Sequence, residues 1–305
     1  MAARGKKRKS SVSSRRETLE FYLFISPWLI GFVVFFAYPL ISSLYYSFTR
    51  FEIGGRPFWI GLENYARMFA DPLYLKTIRT TFLFALISVP GISMLALGLA
   101  LILAQGLKAI NAFRTVYFMP SVMPMVAISL TWFYVLRPET GPLAGLLAAL
   151  GIQAPRWLGE TRWALPALAL INVWFNFGAQ MVIYLAGIKG IPQELYEVAQ
   201  IDGAGQWAKF RHITIPMLSA TIFLNLVLGI IGAMQMFDIP YVMTRGGPND
   251  STRTYMLHLY NRGWVEIQMG SASAMGWILF LIIMAITLLV VRSSQAWVYY
   301  EGERR

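Results

Sequence analysis

Six long apolar stretches without charged side chains constrain this chain more than any other feature of its sequence. A helix needs about 20 predominantly apolar residues to cross the hydrocarbon core of a bilayer. Each of the six stretches reaches that length, and none contains Asp, Glu, Lys, Arg or His in its interior. They cover approximately residues 21–46, 80–105, 115–136, 163–188, 213–237 and 271–291. The pattern predicts an all-α integral membrane protein, a bundle of six transmembrane helices.

The overall composition agrees with a lipid environment. Hydrophobic residues make up 57% of the 305 residues and charged residues only 13%, whereas a typical soluble protein has about 25% charged residues. The chain has no cysteine and only two histidines. This excludes disulfides and thiolate metal sites and disfavours zinc, so we expect no metal site.

The net charge of +11 is concentrated before the first apolar stretch. A basic run next to a span is attracted to anionic lipid and is held on the cytoplasmic side. The run consists of Arg4, Lys6, Lys7, Arg8, Lys9, Arg15 and Arg16. It predicts contact with membrane lipid and no nucleic-acid partner. Six spans then place both termini in the cytoplasm. We expect a basic tail over residues 1–19, a single transmembrane domain over 20–294 and a C-terminal tail over 295–305.

Motifs that would make the chain an enzyme are missing from the sequence. It has no G-x-x-x-x-G-K-[ST] loop, no dinucleotide fingerprint after a strand and no nucleophile elbow. We therefore expect no catalytic residues and no ATP hydrolysis by this chain. Proton-driven carriers keep an ionisable group near the middle of the membrane, and the six stretches have none. A sodium-coupled secondary carrier remains an alternative, because the carbonyls of broken helices can hold sodium.

A polar segment over residues 189–213 separates the fourth and fifth apolar stretches. Pro192 suits the first position of a helix, and Glu194 follows where the helix dipole favours negative charge. Gly203 can adopt the left-handed conformation that ends a helix. A short helix over about 193–202 is predicted, followed by a second over about 206–213. On physical grounds alone it either contacts a partner or lies among lipid headgroups.

This segment resembles the EAA loop of bacterial ABC-importer permeases, which reads E-A-A, three residues, G, nine residues, I-x-L-P. Here the pattern is Glu197-Val198-Ala199, then Gly203, then Ile213–Pro216, with conservative changes at Val198, in place of Ala, and at Ile215, in place of Leu. Other segments are similar to the sugar-uptake branch of maltose and glycerol-phosphate permeases. They are residues 61–65, 71–72, 114–120, 236–238 and 244–248, together with the opening of the first apolar stretch.

The resemblance implies a permease of the type I ABC-importer fold in the bacterial inner membrane. It implies a second homologous permease, two cytoplasmic ATPase subunits that bind ATP and Mg, an external solute-binding protein and a sugar as the solute. It also implies that this chain binds no cofactor itself. The residues expected to couple to the ATPase are Glu197, Ala199, Asp202, Gly203, Ala204, Arg211 and Pro216.

Two spans carry amide and small side chains at helical spacing, which suits a sugar pathway. In the fourth span these are Asn172, Asn176 and Gln180 with Trp174 nearby, and in the fifth they are Asn225, Gly229, Gly232 and Met236 with Gln235 beside them. A sugar needs neutral hydrogen-bond partners, and unpaired amides are costly in lipid. Packing between helices is the alternative, because small and amide residues also mediate membrane helix contacts.

Overall fold

The computed structural model describes residues 11–106 and 110–299, with side chains from Arg15 onward. The predicted basic residues from Arg4 to Lys9 and the end of the predicted C-terminal tail, residues 300–305, lie outside the described residues. The part of the chain that is described is almost wholly helical, with one short hairpin.

The chain begins with a long helix and a hairpin. The elements are α1 (Ser11–Phe32), a π-helical segment (Val33–Ala37), α2 (Tyr38–Ser47), β1 (Thr49–Arg50), β2 (Phe58–Trp59), α3 (Glu63–Ala70), α4 (Pro72–Ala104), α5 (Ile110–Val122), α6 (Met125–Val135) and α7 (Pro142–Ala149). Strands β1 and β2 pair antiparallel, with Thr49 opposite Trp59. The second half consists of α8 (Thr161–Lys189), α9 (Gln193–Ile201), α10 (Gln206–Lys209), a π-helical segment (Phe210–Thr214), α11 (Ile215–Met217), α12 (Ser219–Met234), α13 (Asp238–Met243), α14 (Tyr255–Tyr260), a π-helical segment (Asn261–Val265) and α15 (Met269–Trp297).

Five helical runs in the described chain are long and apolar enough to cross a membrane, and a bent pair would make six. They cover residues 15–47, 72–104, 161–189, 219–243 and 269–297. Most of them extend beyond the apolar stretch that predicts them at one or both ends, because polar residues cap and lengthen the helix outside the hydrocarbon core. Asp71 shows this at α4, where its carboxylate accepts a hydrogen bond from the Leu73 N–H at 2.9 Å.

The third predicted span is not a straight helix. The axes of α5 and α6 are bent by 97° relative to each other. Pro124 lies at the break. Proline has no N–H to donate to the preceding turn and disfavours the helical conformation in the residue before it, so α5 ends at Val122. The third predicted span, 115–136, is therefore present as a bent pair of helices, and six spans are reached if the pair counts as one.

The fifth apolar stretch also begins differently from its prediction. Its first residues belong to the π-helical segment after α10, and the long helix α12 starts only at Ser219. Pro216 lies between them, where its missing N–H loosens the helical hydrogen-bond ladder. The polar segment is thereby joined to the membrane helix through a wider helical turn rather than through a loop.

Helices α4 and α8 form the centre of the bundle. Their contact is the most extensive in the described chain, and α5 and α12 pack on either side. The core next to this pair includes Phe84, Leu168 and Met181, all fully buried. Helix α15 packs against α2, but the apolar part of the first span is 0% buried by the described chain. The surface of the first span is therefore available for contact with lipid or with another subunit.

The connections between spans lie at two opposite ends of the bundle. Residues 48–71, 136–160 and 244–268 are at one end, and residues 190–218 are at the other, since consecutive spans run in opposite directions. We call these the outer end and the coupling end. The pathway residues predicted from the sequence belong to the bundle interior, and the predicted coupling residues belong to the coupling end.

Candidate functional site

A cavity of about 320 Å³ lies in the bundle between α4, α6, α8 and α12. We call it the pathway cavity. Seven of the predicted pathway residues line it, namely Asn172, Asn176, Gln180, Asn225, Gly229, Gly232 and Met236. Asn172, Asn176 and Gln180 are spaced four residues apart, so they lie one above another on the same face of α8. This face lines the cavity. The glycines on α12 provide the opposite wall.

The amide groups of the pathway cavity have hydrogen-bonding capacity that the chain does not use. Asn176 Nδ2 donates to Asn172 Oδ1 at 2.8 Å, and Gln180 Nε2 donates weakly to the Asn225 carbonyl at 3.5 Å. Gln180 Oε1 and both polar atoms of the Asn225 side chain are buried and have no hydrogen-bond partner among the described residues. Asn225 is only 1% exposed. Buried polar groups without partners are costly unless something else satisfies them, so the cavity is suited to a polar ligand.

Trp174 and Gln235 are the two predicted pathway residues that the structure does not place in this cavity. Trp174 is two residues from Asn172 and from Asn176, so it points to the opposite side of α8, where it packs against Trp132 with ring centroids 5.4 Å apart. Gln235 is an exposed residue just after the end of α12. Trp174 and Gln235 as pathway residues therefore stay predictions, without support from this cavity.

The lining also includes apolar side chains that carried no signal in the sequence. Ile92 from α4 and Met125 from α6 are examples. Met125 reaches the cavity because the break at Pro124 turns the start of α6 inward. Such contributions depend on how helices pack, and no spacing along one helix reveals them.

At the coupling end, the predicted short helix is present as α9. Pro192 precedes its first residue as the N-cap rather than occupying the first helical position. The helix ends in a Schellman motif, in which the N–H of Ala204 bonds the carbonyl of Ala199 at 2.8 Å and the N–H of Gly203 bonds that of Gln200 at 3.1 Å. Gly203 has φ of +76°, the left-handed conformation that the motif requires. Three of the predicted coupling residues thus shape the turn.

The other predicted coupling residues occupy different surroundings at the same end. Asp202 follows α9 as its C-cap residue, and Glu197 and Arg211 are exposed. Pro216 is partly buried within α11. The two halves of the segment are braced by a hydrogen bond of 2.9 Å between the hydroxyls of Tyr196 and Thr214. The brace makes α9 and the π-helical segment one rigid unit.

The coupling end exposes large apolar side chains that were not among the predicted coupling residues. Ile201 is 85% exposed and Trp207 is 71% exposed, on either side of the Gly203 turn. Exposed apolar residues grouped on a polar surface mark contact with a protein or a membrane. The sequence contained a signal for them, namely large apolar side chains within an otherwise polar segment.

At the outer end, His258 in α14 is a buried titratable group, with 2% of its surface exposed. Burial, followed by the charges of Arg262 and Arg253, lowers the pKa of His258 from 6.5 to about 4, although Asp71 and Glu266 act in the opposite direction. The imidazole is therefore neutral in the folded protein at neutral pH.

The lowered pKa of His258 predicts that the folded protein loses stability in mild acid. Its pKa is lower in the folded than in the unfolded chain, so the unfolded chain binds the proton more tightly. Stability is complete above about pH 6.5 and falls towards about pH 4, by on the order of 3 kcal/mol in total. A thermal melt of the purified protein over this pH range measures the effect. His258→Gln is expected to flatten the slope, and an equal slope in this variant would contradict the assignment.

Comparison with known proteins identifies the chain. Residues 93–299 match the family described as binding-protein-dependent transport system inner membrane component. The chain belongs to this family. It is 39% identical to the probable ABC transporter permease protein YesP of Bacillus subtilis, over 97% of this chain and 96% of the relative. The trehalose/maltose transport system permease protein MalF of Thermococcus litoralis is 32% identical, over 91% of this chain and 94% of the relative.

A third relative and a solved structure agree with this assignment. The sulfoquinovosyl glycerol transport system permease protein SmoG of Agrobacterium fabrum is 33% identical, over 88% of each chain. A chain in the crystal structure of a bacterial alginate ABC transporter with an alginate pentasaccharide-bound periplasmic protein superposes with a TM-score of 0.83. It is 22% identical and covers 94% of this chain and 98% of the other, which establishes the same fold.

The chain is therefore a multi-pass permease subunit of an ABC importer, with the type I permease fold. Permeases of this family are membrane subunits and not enzymes. The family assignment favours the importer permease over a self-contained secondary carrier, as the resemblance in the coupling segment predicted.

Proposed function

We propose that this permease forms half of the translocation pathway for a sugar or oligosaccharide and holds the solute in the pathway cavity. The observation that carries the proposal is the group of amide residues that line the cavity, Asn172, Asn176, Gln180 and Asn225, of which Gln180 and Asn225 have buried amide atoms without a partner among the described residues. Sugar hydroxyls both donate and accept hydrogen bonds, so an amide that offers both functions suits them. Relatives named for trehalose and maltose, diacetylchitobiose and arabinooligosaccharides support a saccharide.

The proposed assembly has a second homologous permease, two ATPase subunits that bind ATP and Mg, and an external solute-binding protein. The coupling end faces the cytoplasm in this proposal, together with both termini, and the outer end faces the binding protein. The exposed α9 and the rigid Schellman turn support α9 as the contact with an ATPase. Movement of the ATPases would then reach α12 directly, because the braced segment continues into that helix.

Co-purification tests the proposed assembly. The tagged chain, expressed with its cognate transport proteins, is expected to bring down an ATPase and a second permease in fixed proportion. Recovery of the chain without either protein would contradict the assembly, and recovery of the second permease alone would contradict the role of the coupling end.

Gln180→Leu is expected to raise the KM for uptake by about five- to tenfold. The change keeps the size of the side chain but removes the amide, and one hydrogen bond to a ligand corresponds to about 1–1.5 kcal/mol. Uptake by the assembled transporter in proteoliposomes measures KM. Gln235→Leu is the matched control, because that amide lies outside the pathway cavity. Equal KM values in both variants would favour packing over binding.

A further inference from the structure

A second polar cavity, also of about 320 Å³, lies at the outer end. It is enclosed by α3, the start of α4, α14 and the start of α15, and we call it the outer pocket. Its lining consists of Asn64, Arg67, Met68, Asp71, Tyr74, His258, Arg262, Gln268, Ser271 and Met275. None of these residues lines the pathway cavity, so the two cavities are separate.

The charged groups of the outer pocket are paired with one another. Arg262 Nη2 contacts Asp71 Oδ2 at 2.7 Å, and Arg262 Nη1 contacts Glu266 Oε2 at 2.7 Å. Arg67 pairs with Glu63. Burial alone would raise the pKa of Asp71, but the Leu73 N–H and the Arg262 guanidinium outweigh it and lower the pKa. Arg262 serves two carboxylates, Asp71 and Glu266, so every charged group in these pairs has a partner of opposite sign, which weakens the attraction of the pocket for a free ion.

The remaining polar lining is neutral and partly fixed in position. Asn64 Nδ2 donates to the carbonyls of Ser47 and Thr49 at 2.8 and 2.9 Å, which holds the amide and leaves its oxygen as an acceptor. His258 lines the pocket, and its buried Nδ1 has no partner among the described residues. A neutral imidazole has one donor and one acceptor, so this ring has unused hydrogen-bonding capacity next to the pocket.

The walls of the outer pocket are held rigidly. The hydroxyls of Tyr74 and Tyr255 are 3.1 Å apart, and the Tyr255 hydroxyl donates to the Met275 carbonyl at 2.7 Å. Ile267, directly before the lining residue Gln268, has φ of +61°. A β-branched residue in this conformation is strained by about 1–3 kcal/mol, and such strain is concentrated at functional sites.

We propose that the outer pocket is a second ligand site, which binds a neutral, hydroxyl-rich ligand of one ring, such as a monosaccharide or the terminal unit of an oligosaccharide. Its volume lies at the lower end of the about 300–1,000 Å³ typical of ligand pockets, which suits one ring. Neutral donors and acceptors beside paired charges match hydroxyl groups, each of which donates and accepts. The site is independent of the solute that the pathway cavity takes.

Saturation-transfer NMR on the full chain in lipid nanodiscs tests the proposal. Nanodiscs are required because maltoside detergents carry sugar headgroups. The probes are D-glucose and myo-inositol, with acetate as the charged probe and tetrahydropyran as the ring without hydroxyls. We expect transfer to glucose or inositol only. A lack of transfer to both glucose and inositol would overturn the proposal and would indicate a pocket that holds only water. Transfer to acetate instead of the sugars would also overturn it.

Two variants assign the signal to the outer pocket. Ser271→Leu fills the cavity with an apolar side chain and is expected to raise the Kd for the bound probe at least tenfold. Gln235→Leu, outside both cavities, is expected to leave that Kd unchanged. An unchanged Kd in Ser271→Leu would place the ligand elsewhere and overturn the proposal. Gln268→Leu, at an exposed position, replaces Ser271→Leu if that variant is not recovered as folded protein.

Discussion

Gly178→Ala is expected to abolish the yield of folded permease. A Cβ at this position of α8 would lie 2.0 Å from the carbonyl oxygen of Tyr117 and 3.0 Å from Cα of Phe118. These are backbone atoms of α5, so no rotamer change can make room, and α5 would have to separate from α8. Overpacking that only displaces side chains costs about 1–3 kcal/mol, and moving a helix backbone in the core costs more.

The matched control is Gly98→Ala in α4, where an added Cβ has no atom within 4 Å. This change is expected to leave stability unchanged or to raise it by up to about 1 kcal/mol, because alanine favours the helix. Size-exclusion yield and melting temperature in detergent compare the two variants. Equal melting temperatures would show that α5 and α8 are not in the tight contact described.

The spans could be predicted from the sequence because length and absence of charge are properties of one helix and its solvent. The break at Pro124 could not be predicted from the sequence, because other prolines in this chain lie inside helices without breaking them. Pro90 and Pro166 lie inside the unbroken helices α4 and α8, and Pro120 lies inside α5. Whether a proline ends a membrane helix depends on what neighbouring helices offer to its freed backbone groups, and that information is tertiary.

The candidate sites divide in the same way. The amides of α8 could be predicted to share a face from their spacing, and Gly203 could be predicted to end α9 from its conformational freedom. Trp174 was grouped with these amides by nearness in sequence, whereas the helical angle turns it away from the pathway cavity towards Trp132. The outer pocket brings together residues about 190 positions apart, as in the Asp71–Arg262 pair. No local sequence pattern predicts such a contact.

Ile201→Asp is expected to abolish uptake and the recovery of the ATPase while leaving the permease folded. Ile201 is 85% exposed at the end of α9, so the free chain loses no packing when it is replaced. In an assembled transporter the isoleucine would be buried, which corresponds to about 1.5–3 kcal/mol. A carboxylate there would be desolvated without a partner and would lie at the helix end where the dipole disfavours negative charge.

The control for this change is Leu150→Asp, a similarly exposed leucine (74%) at the outer end of the molecule. It introduces the same charge at a helix end but far from the coupling surface, and ATPase recovery is expected to stay normal. The pair also decides between a protein contact and a headgroup contact for α9. If Ile201 lies among lipid headgroups, Ile201→Asp would leave ATPase recovery and uptake intact. If it lies in the ATPase interface, the same change would abolish both.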